Sequence, residues 1–254
     1  MGLRISPQRH KAHKERTKTP NKLKEKNHPK FNLKSIEEEI HMKRDTRLIL
    51  ALDVTSRDRA LSLAEKLCDY FDAIKIGYPL ILSSGLGIVK EISAFSPVIA
   101  DLKVADIPNT NRLICEAVLG SGASGIIAQA FPGKDSLLAC VDSAAAHGAD
   151  LFVVTEMSHP GAELFMAPLA EKMARLAAEV DATGVVAPAT RPERIKLIRS
   201  IIGERMIISP GVGAQGGFAG AALEAGADYL IVGRSIYEAE DPVASANKLL
   251  SLIH

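Results

Sequence analysis

The sequence is poor in aromatic residues. It contains no Trp, and aromatic side chains make up only 4% of its 254 residues, although 47% of the residues are hydrophobic. A core in this chain must therefore be built from Ala, Val, Ile and Leu. Small and branched aliphatic residues of this kind are typical of buried parallel strands that are covered by helices on their outer face.

The sequence also lacks the features of secreted, membrane and metal-binding proteins. Its three cysteines (Cys68, Cys115 and Cys140) are scattered and show no metal-ligand spacing. An odd, scattered set of cysteines favours reduced thiols in a cytoplasmic protein. No apolar run approaches the ~20 residues that cross a bilayer, and no signal peptide is present. We therefore expect a cytoplasmic protein with no membrane segment and no metal site.

Charge is distributed unevenly along the chain. The total formal charge is +1, but residues 1–34 carry eleven Lys/Arg and two Glu, so the remainder is acidic. A basic segment without apolar periodicity cannot bury enough surface to fold. We predict a disordered basic extension over residues 1–41 and one folded domain over residues 42–254. An inert extension is the favoured interpretation, which makes nucleic acid an unlikely partner; a tether to nucleic acid or to a membrane surface is the alternative.

From Arg47 onward the chain alternates apolar strands with helical segments. The predicted helices include long segments over 80–95 and 162–180, and Pro108 is predicted to start another. Eight strand–helix units with short connections are the number that a (β/α)8 TIM barrel requires, and a doubly wound sheet rarely needs eight similar units. We therefore predict a TIM barrel with strands over 48–54, 73–78, 98–104, 125–130, 151–157, 184–189, 206–211 and 229–235.

Charged residues follow several of these strands at their carboxyl ends, where TIM barrels carry their active sites. In the segment IADLKVADIPNT (99–110), Asp101 and Lys103 are two residues apart, so both side chains leave the same face of a strand. We expect Lys75, Asp101, Lys103 and Asp106 to alternate in charge around the mouth of the barrel, with Asp53 nearby. A structural ion pair that caps the strand is the alternative.

The ends of the seventh and eighth strands indicate a phosphate site. SPGVGAQGG (209–217) contains four glycines before a predicted helix, and IVGRS (231–235) adds Gly233 and Arg234. Glycine lets main-chain N–H groups approach an anion, a helix N-terminus adds a favourable dipole, and Arg can hold a phosphate bidentately. The alternative is a loop that needs glycine only for its backbone conformation. We predict a phosphate monoester substrate.

Opposite charges around the two lysines should keep them protonated. A protonated lysine beside carboxylates is suited to donate a proton to a carbanion, and it is not a nucleophile. No residue spacing indicates a zinc site, and nothing identifies a lysine that is desolvated for Schiff-base chemistry. The charges would then neutralise charge that develops during the reaction.

Six ordered motifs resemble one known family. IKIGY, DLKVADIPNT, TEMSHPGAE, PATRPER, SPGVGAQGG and IVGRSIY are together similar to orotidine 5′-phosphate decarboxylase in its short archaeal-type form, from about Arg47 to the C-terminus. The resemblance implies conversion of orotidine monophosphate to UMP and CO2 in pyrimidine biosynthesis, without a cofactor or metal. It also implies a homodimer with shared active sites.

The resemblance further implies individual roles. Lys103 would protonate C6, Asp101 would press on the departing carboxylate, and Lys75 would help to hold Lys103. Asp106 and Thr110 would enter the active site of the neighbouring subunit. The remaining residues implied to bind substrate are Asp53 and Lys75 at the ribose, Ser158 at the pyrimidine, Gln215 between base and phosphate, and Pro210, Gly211, Val212, Gly213, Ala214, Gly216, Gly217, Gly233 and Arg234 around the phosphate.

One position departs from the family pattern. The fourth strand reads IIAQAFPG, with Gln129 where the family often has His. No implied role falls on this residue, so we expect no change in the chemistry.

Two alternatives remain. Relatives similar to hexulose-phosphate synthase and keto-gulonate-phosphate decarboxylase share the D-x-K-x-x-D pattern and use magnesium, but TEMSHPGAE and SPGVGAQGG favour the orotidine enzyme. A non-catalytic barrel that binds a partner through its basic tail is the second. Turnover of orotidine monophosphate in EDTA would separate the three.

Overall fold

The computed structural model describes Met42 and residues 45–253, and within them it forms a closed parallel barrel. The predicted extension over residues 1–41 lies outside the described residues. Each strand pairs with the next in sequence, and β8 pairs with β1. The predicted TIM barrel is confirmed, with strands β1 (Leu48–Ala51), β2 (Ala73–Gly77), β3 (Val98–Val104), β4 (Gly125–Gln129), β5 (Asp150–Val154), β6 (Gly184–Val186), β7 (Met206–Pro210) and β8 (Tyr229–Val232).

Helices follow the strands and cover the outside of the barrel. The α4 helix begins at Pro108, as predicted, because proline lacks the N–H that the first turn leaves unpaired. The α-helices are α1 (Arg57–Leu67), α2 (Tyr78–Ser84), α3 (Ile88–Ile92), α4 (Pro108–Leu119), α5 (Lys134–Ala146), α6 (Ala162–Phe165), α7 (Ala170–Glu179), α8 (Pro192–Ile202), α9 (Ala219–Glu224), α10 (Arg234–Tyr237) and α11 (Pro242–Leu250), with 3-10 turns at Cys68–Tyr70 and Ala167–Leu169.

Two predicted long helices are interrupted. The segment 80–95 divides into α2 and α3 because Gly85 adopts a positive φ of 80°, a conformation outside the helical region. The segment 162–180 divides into α6 and α7 around Pro168, which lacks the N–H that a continuous helix needs. The prediction of a single helix was wrong in both places.

Several strands end earlier than the apolar pattern predicts. β1 ends at Ala51, so Asp53 lies in the loop that follows it. β8 ends at Val232, and the predicted strand over 229–235 was wrong beyond that point because Arg234 begins the short helix α10. These early ends place polar side chains in loops that surround the mouth of the barrel.

The amino-terminal side of the barrel is closed by the residues that precede β1. Met42 is buried, and its carbonyl accepts a hydrogen bond of 3.1 Å from the hydroxyl of Tyr229. The main-chain N–H groups of Thr46 and Arg47 donate to the carboxylate of Asp72. Folded structure in the described residues therefore reaches back at least to Met42.

None of the described helices combines the length and apolar character that a membrane span requires.

Candidate active site

A cavity of about 380 Å³ opens at the carboxyl ends of the strands. One part of its wall is apolar and is formed by Ile127, Val154, Val186 and Ile231 from four strands. None of these four residues was predicted from the sequence, because each belongs to an apolar strand and carries no polar group that marks a site. The predicted residues that do line the cavity are Asp53, Lys75, Asp101, Lys103, Ser158, Pro210, Gly211, Val212, Ala214, Gln215, Gly233 and Arg234.

Lys75, Asp101 and Lys103 form a compact group, which we call the Lys–Asp–Lys cluster. Nζ of Lys75 lies 2.8 Å from Oδ2 of Asp101, and Nζ of Lys103 lies 2.7 Å from Oδ1 of the same carboxylate. Asp53 is adjacent, with its Oδ1 3.7 Å from Nζ of Lys75. The side chains of Lys75 and Asp101 are 8% and 9% exposed, whereas that of Lys103 is 34% exposed. Lys103 is therefore the most exposed member of the cluster, although all three line the cavity.

Two members of the cluster, Asp101 and Lys75, have pKa values that favour their charged forms. Burial raises the pKa of Asp101, but attraction to Lys75 and Lys103 and hydrogen bonds from both outweigh it, so the pKa lies below its usual value. Burial likewise lowers the pKa of Lys75, but attraction to Asp101 and Asp53 outweighs it, and the pKa lies above its usual value. Asp101 therefore stays ionised and Lys75 protonated throughout the neutral range.

Lys103 has an unusual backbone. Its φ is +44°, in the left-handed region that costs a residue other than glycine roughly 1–2 kcal/mol. The pairing of β3 with β4 shifts register here: Ala100 pairs with Ile126, but the next pair is Val104 with Ala128. Two more residues lie between these pairs on β3 than on β4, which makes a bulge. The spacing of Asp101 and Lys103 predicts a regular strand, and the bulge was not predicted.

Asp106 and Thr110 lie outside the cavity of their own chain. Asp106 is exposed, and its Oδ1 accepts a hydrogen bond of 2.7 Å from the main-chain N–H of Ile107. In the described residues it forms no ion pair with Lys103. Within one chain Asp106 therefore does not complete the alternating set of charges: it lies between the end of β3 and the start of α4 and does not line the cavity.

The glycine-rich loop after β7 folds back on itself. Gly213 donates to the carbonyl of Gly217 over 3.1 Å, and Gly217 donates to that of Gly211 over 3.0 Å. A Cβ on Gly213, which has a φ of +74°, would lie 2.9 Å from Oγ of Ser235, and one on Gly217 would lie 2.7 Å from the carbonyl oxygen of Gly211. The loop conformation and these close contacts therefore favour glycine at both positions even without a bound anion. Gly213, Gly216 and Gly217 do not line the cavity.

Arg234 lines the same cavity, and the next residue, Ser235, packs close to Gly213 of this loop. Its side chain is exposed and makes no ion pair in the described residues, and its main-chain N–H and that of Gly233 donate no hydrogen bond there. The helix predicted after the glycine loop is present as α9, which starts at Ala219 and has six residues. Any anion site here depends on Arg234 and on main-chain N–H groups.

A buried ion-pair network supports the wall that carries Ser158. Glu156 is fully buried, and its two oxygens accept hydrogen bonds of 2.8 Å from Nε of Arg191 and Nε of Arg194. Arg191 also donates to the carbonyl of Met157 over 2.6 Å. Sequence reasoning missed this network. The signal that could have found it is the charged Glu156 in the otherwise apolar strand LFVVTEM, together with the paired arginines of PATRPER.

Gln129 lies behind the cavity wall. Its Nε2 is 3.9 Å from Sδ of Met157, and its Oε1 is buried with no hydrogen-bond partner in the described part of the chain. It does not line the cavity. Across the described residues, no three His, Cys, Asp or Glu side chains converge as metal ligands would.

Comparison with known proteins agrees with this geometry. The profile of the Orotidine 5′-phosphate decarboxylase / HUMPS family matches residues 46–249. An orotidine 5′-phosphate decarboxylase of Methanosarcina mazei is 60% identical over 81% of this chain and 94% of its own length, and that of Methanosarcina acetivorans is 59% identical over 82% and 95%. The crystal structure of the Methanocaldococcus jannaschii enzyme in complex with the inhibitor BMP is 47% identical, with a TM-score of 0.79 over 84% of this chain and 100% of that one. The chain therefore belongs to the orotidine 5′-phosphate decarboxylase / HUMPS family.

Proposed function

We propose that the chain is an orotidine 5′-phosphate decarboxylase that forms UMP and CO2 in pyrimidine biosynthesis and needs neither a metal nor an organic cofactor. The observation that carries the proposal is the position of Lys103. Its ammonium is 2.7 Å from Asp101, and its side chain is the most exposed of the Lys–Asp–Lys cluster. The two Methanosarcina relatives reported above are both named for this activity, and this chain matches nearly the whole length of each.

The chemistry requires the enzyme to stabilise a carbanion. The bond between C6 and the carboxylate breaks, CO2 leaves, and the electron pair stays on C6. Lys103 then transfers a proton from Nζ to C6, which gives UMP and a neutral lysine that solvent reprotonates. A preorganised ammonium stabilises the developing charge more strongly than water does, and the apolar wall lowers the local dielectric further.

Asp101 and Lys75 together fix the position of the Lys103 ammonium. The carboxylate of Asp101 holds the ammonium of Lys103 and would repel the carboxylate of the substrate, a repulsion that ends when CO2 departs. Lys75 compensates the charge of Asp101 on its buried side, at 2.8 Å. Asp101 can therefore remain ionised beside an anionic substrate.

Substrate binding is assigned to the rest of the cavity. Asp53 and Lys75 would bind the ribose hydroxyls, and Ser158 the edge of the pyrimidine. Gln215, from the exposed part of the glycine-rich loop, would reach between base and phosphate. The phosphate would be held by the side chain of Arg234, by the main-chain N–H groups of Gly233 and Arg234, and by the loop over 210–217. This loop would be mobile and would close over the substrate.

Loss of Arg234 should weaken phosphate binding. We expect Arg234→Ala to lower kcat/KM by about 10- to 100-fold, because a charge-assisted hydrogen bond is worth about 1.5–3 kcal/mol. KM should carry most of the loss. Arg175→Ala is the matched control, since Arg175 is an exposed arginine on α7, paired only loosely with Glu171 at 3.9 Å. UMP affinity equal to that of the parent would show that Arg234 does not bind phosphate.

A homodimer is part of the proposal, and Asp106 and Thr110 are the residues assigned to its shared sites. Neither residue lines the cavity of its own chain, which leaves both available to a second copy of the chain. Ile107, between them, is 64% exposed, and Phe131 at the next strand end is 50% exposed. Apolar side chains exposed beside these polar ones suit an interface between subunits. The enzyme would act in the cytoplasm.

The basic extension is proposed to be dispensable for catalysis. The lining of the cavity described above comes from the barrel, and the described fold includes Met42. A variant that begins at Met42 should keep kcat within about threefold of the parent, which corresponds to about 0.7 kcal/mol in the barrier, and should keep its melting temperature. Steady-state kinetics and thermal unfolding measure both quantities. A larger fall in kcat would mean that the extension takes part in catalysis.

The experiment that tests the function is a direct assay of the purified full chain. Orotidine 5′-phosphate should be converted to equal amounts of UMP and CO2, and the same chain with orotidine, which lacks the phosphate, should react far more slowly because phosphate binding drives loop closure. Absence of UMP from a folded preparation would reject the proposed function.

A further inference from the structure

Tyr78 connects the end of β2 to the bulge in β3. It is the first residue of α2, and its hydroxyl donates a hydrogen bond of 2.7 Å to the carbonyl oxygen of Leu102. Leu102 is the residue before Lys103, so the hydrogen bond is made to the peptide unit that Leu102 and Lys103 share. Tyr78 itself does not line the cavity, and its ring is half exposed.

This peptide is the point where β3 departs from regular geometry. Lys103 has a φ of +44°, and the register to β4 shifts between Ala100 and Val104. A left-handed residue other than glycine persists only where its surroundings hold it. The hydroxyl of Tyr78 holds the Leu102 carbonyl, which directly precedes Lys103 in the main chain. The carboxylate of Asp101 holds the ammonium at the end of the Lys103 side chain.

The consequence concerns the ammonium of Lys103. A relaxed peptide would rotate the Cα–Cβ bond of Lys103 and move its Nζ relative to Asp101, from which it is now 2.7 Å. Misplacement of a reacting group by about 1 Å can cost about 100-fold in rate. Affinity for product would change much less, because the ribose and phosphate contacts proposed above are made by other residues.

We propose that Tyr78 is a positioning residue for Lys103, which acts through its hydrogen bond to the Leu102 carbonyl and never touches the substrate. The inference rests on the proposed function. Tyr78 would contribute to catalysis although it does not line the cavity and is half exposed.

The test compares two substitutions that each remove one hydroxyl. Tyr78→Phe should lower kcat by about 10- to 100-fold, with KM for orotidine 5′-phosphate and affinity for UMP within about threefold of the parent. Tyr229→Phe is the matched control, because it too removes a hydroxyl bonded to a main-chain carbonyl, that of Met42 at 3.1 Å, at the opposite end of the barrel. It should keep kcat. Active sites are counted by UMP titration, so that a partly unfolded preparation does not imitate a loss of kcat.

A second measurement follows the lysine directly. If Lys103 delivers the proton to C6, microscopic reversibility requires the enzyme to exchange the C6 proton of UMP with D2O. Tyr78→Phe should slow this exchange by about the same factor as kcat. A parental kcat and exchange rate in Tyr78→Phe, or an equal loss in Tyr229→Phe, would overturn the proposal. Absence of UMP formation by the parent chain would instead reject the proposed function, so the two failures are distinguishable.

Discussion

We expect Lys103→Ala to lower kcat by at least about 10⁴-fold, the upper end of what a positioned proton donor contributes, while the barrel remains folded. The loss corresponds to about 5.4 kcal/mol of transition-state stabilisation. It should fall on kcat, because the ammonium acts on charge that develops only as CO2 leaves. The fold should persist because Lys103 is partly exposed and Asp101 keeps its ion pair with Lys75 at 2.8 Å.

The choice of Lys103 over Lys75 matters for this experiment. Lys75 is the buried partner of Asp101, so its removal would leave that carboxylate with only the partly exposed Lys103 and would destabilise the chain, which would confuse unfolding with loss of chemistry. Lys172→Ala is the matched control, since Lys172 is an exposed lysine on α7. A Lys103→Ala variant that binds UMP and keeps more than about one per cent of the parental kcat would contradict the assigned proton donor.

The second large effect concerns the shared site. Asp106→Asn should abolish most turnover by damaging the active site of the partner subunit, since its own cavity does not include Asp106. Mixed with Lys103→Ala after dissociation and reassembly, it should recover activity. In a mixed dimer both lesions fall in one site and the other site is intact.

The recovery has a defined size. Random reassembly makes about half of the dimers mixed, each with one intact site, so about a quarter of the parental activity should return. Each variant carried through the same treatment alone is the control. If the mixture remains as inactive as its components although mass spectrometry finds mixed dimers, Asp106 acts within its own chain and the shared-site proposal is wrong.

The barrel could be predicted from sequence because each strand repeats one signal. Runs such as LILA and YLIV are apolar throughout, as strands buried on both faces must be, and each is followed by a helix. Interruptions within helices were harder to predict. Glycine and proline occur at many helix ends. Only the three-dimensional path of the chain shows that Gly85 and Pro168 each interrupt a predicted helix.

The candidate site was predictable in its residue types and less so in its geometry. Asp101 and Lys103 are polar residues in an apolar strand, and that contrast is visible in the sequence. The bulge that turns Lys103 to a positive φ leaves no such signal, since no glycine marks it. The buried Glu156 between Arg191 and Arg194 escaped notice for a different reason: its partners lie 35 and 38 residues away in the chain.

The central claim is that this chain decarboxylates orotidine 5′-phosphate through the Lys–Asp–Lys cluster and without a metal. The most direct measurement is the rate of UMP formation by the full chain after dialysis against EDTA and in its presence, with Lys103→Ala assayed alongside. We predict an undiminished rate for the parent chain and none above background for Lys103→Ala. Loss of the parent's activity in EDTA, with recovery on addition of Mg²⁺, would contradict the claim and would place the chain with the magnesium-dependent relatives.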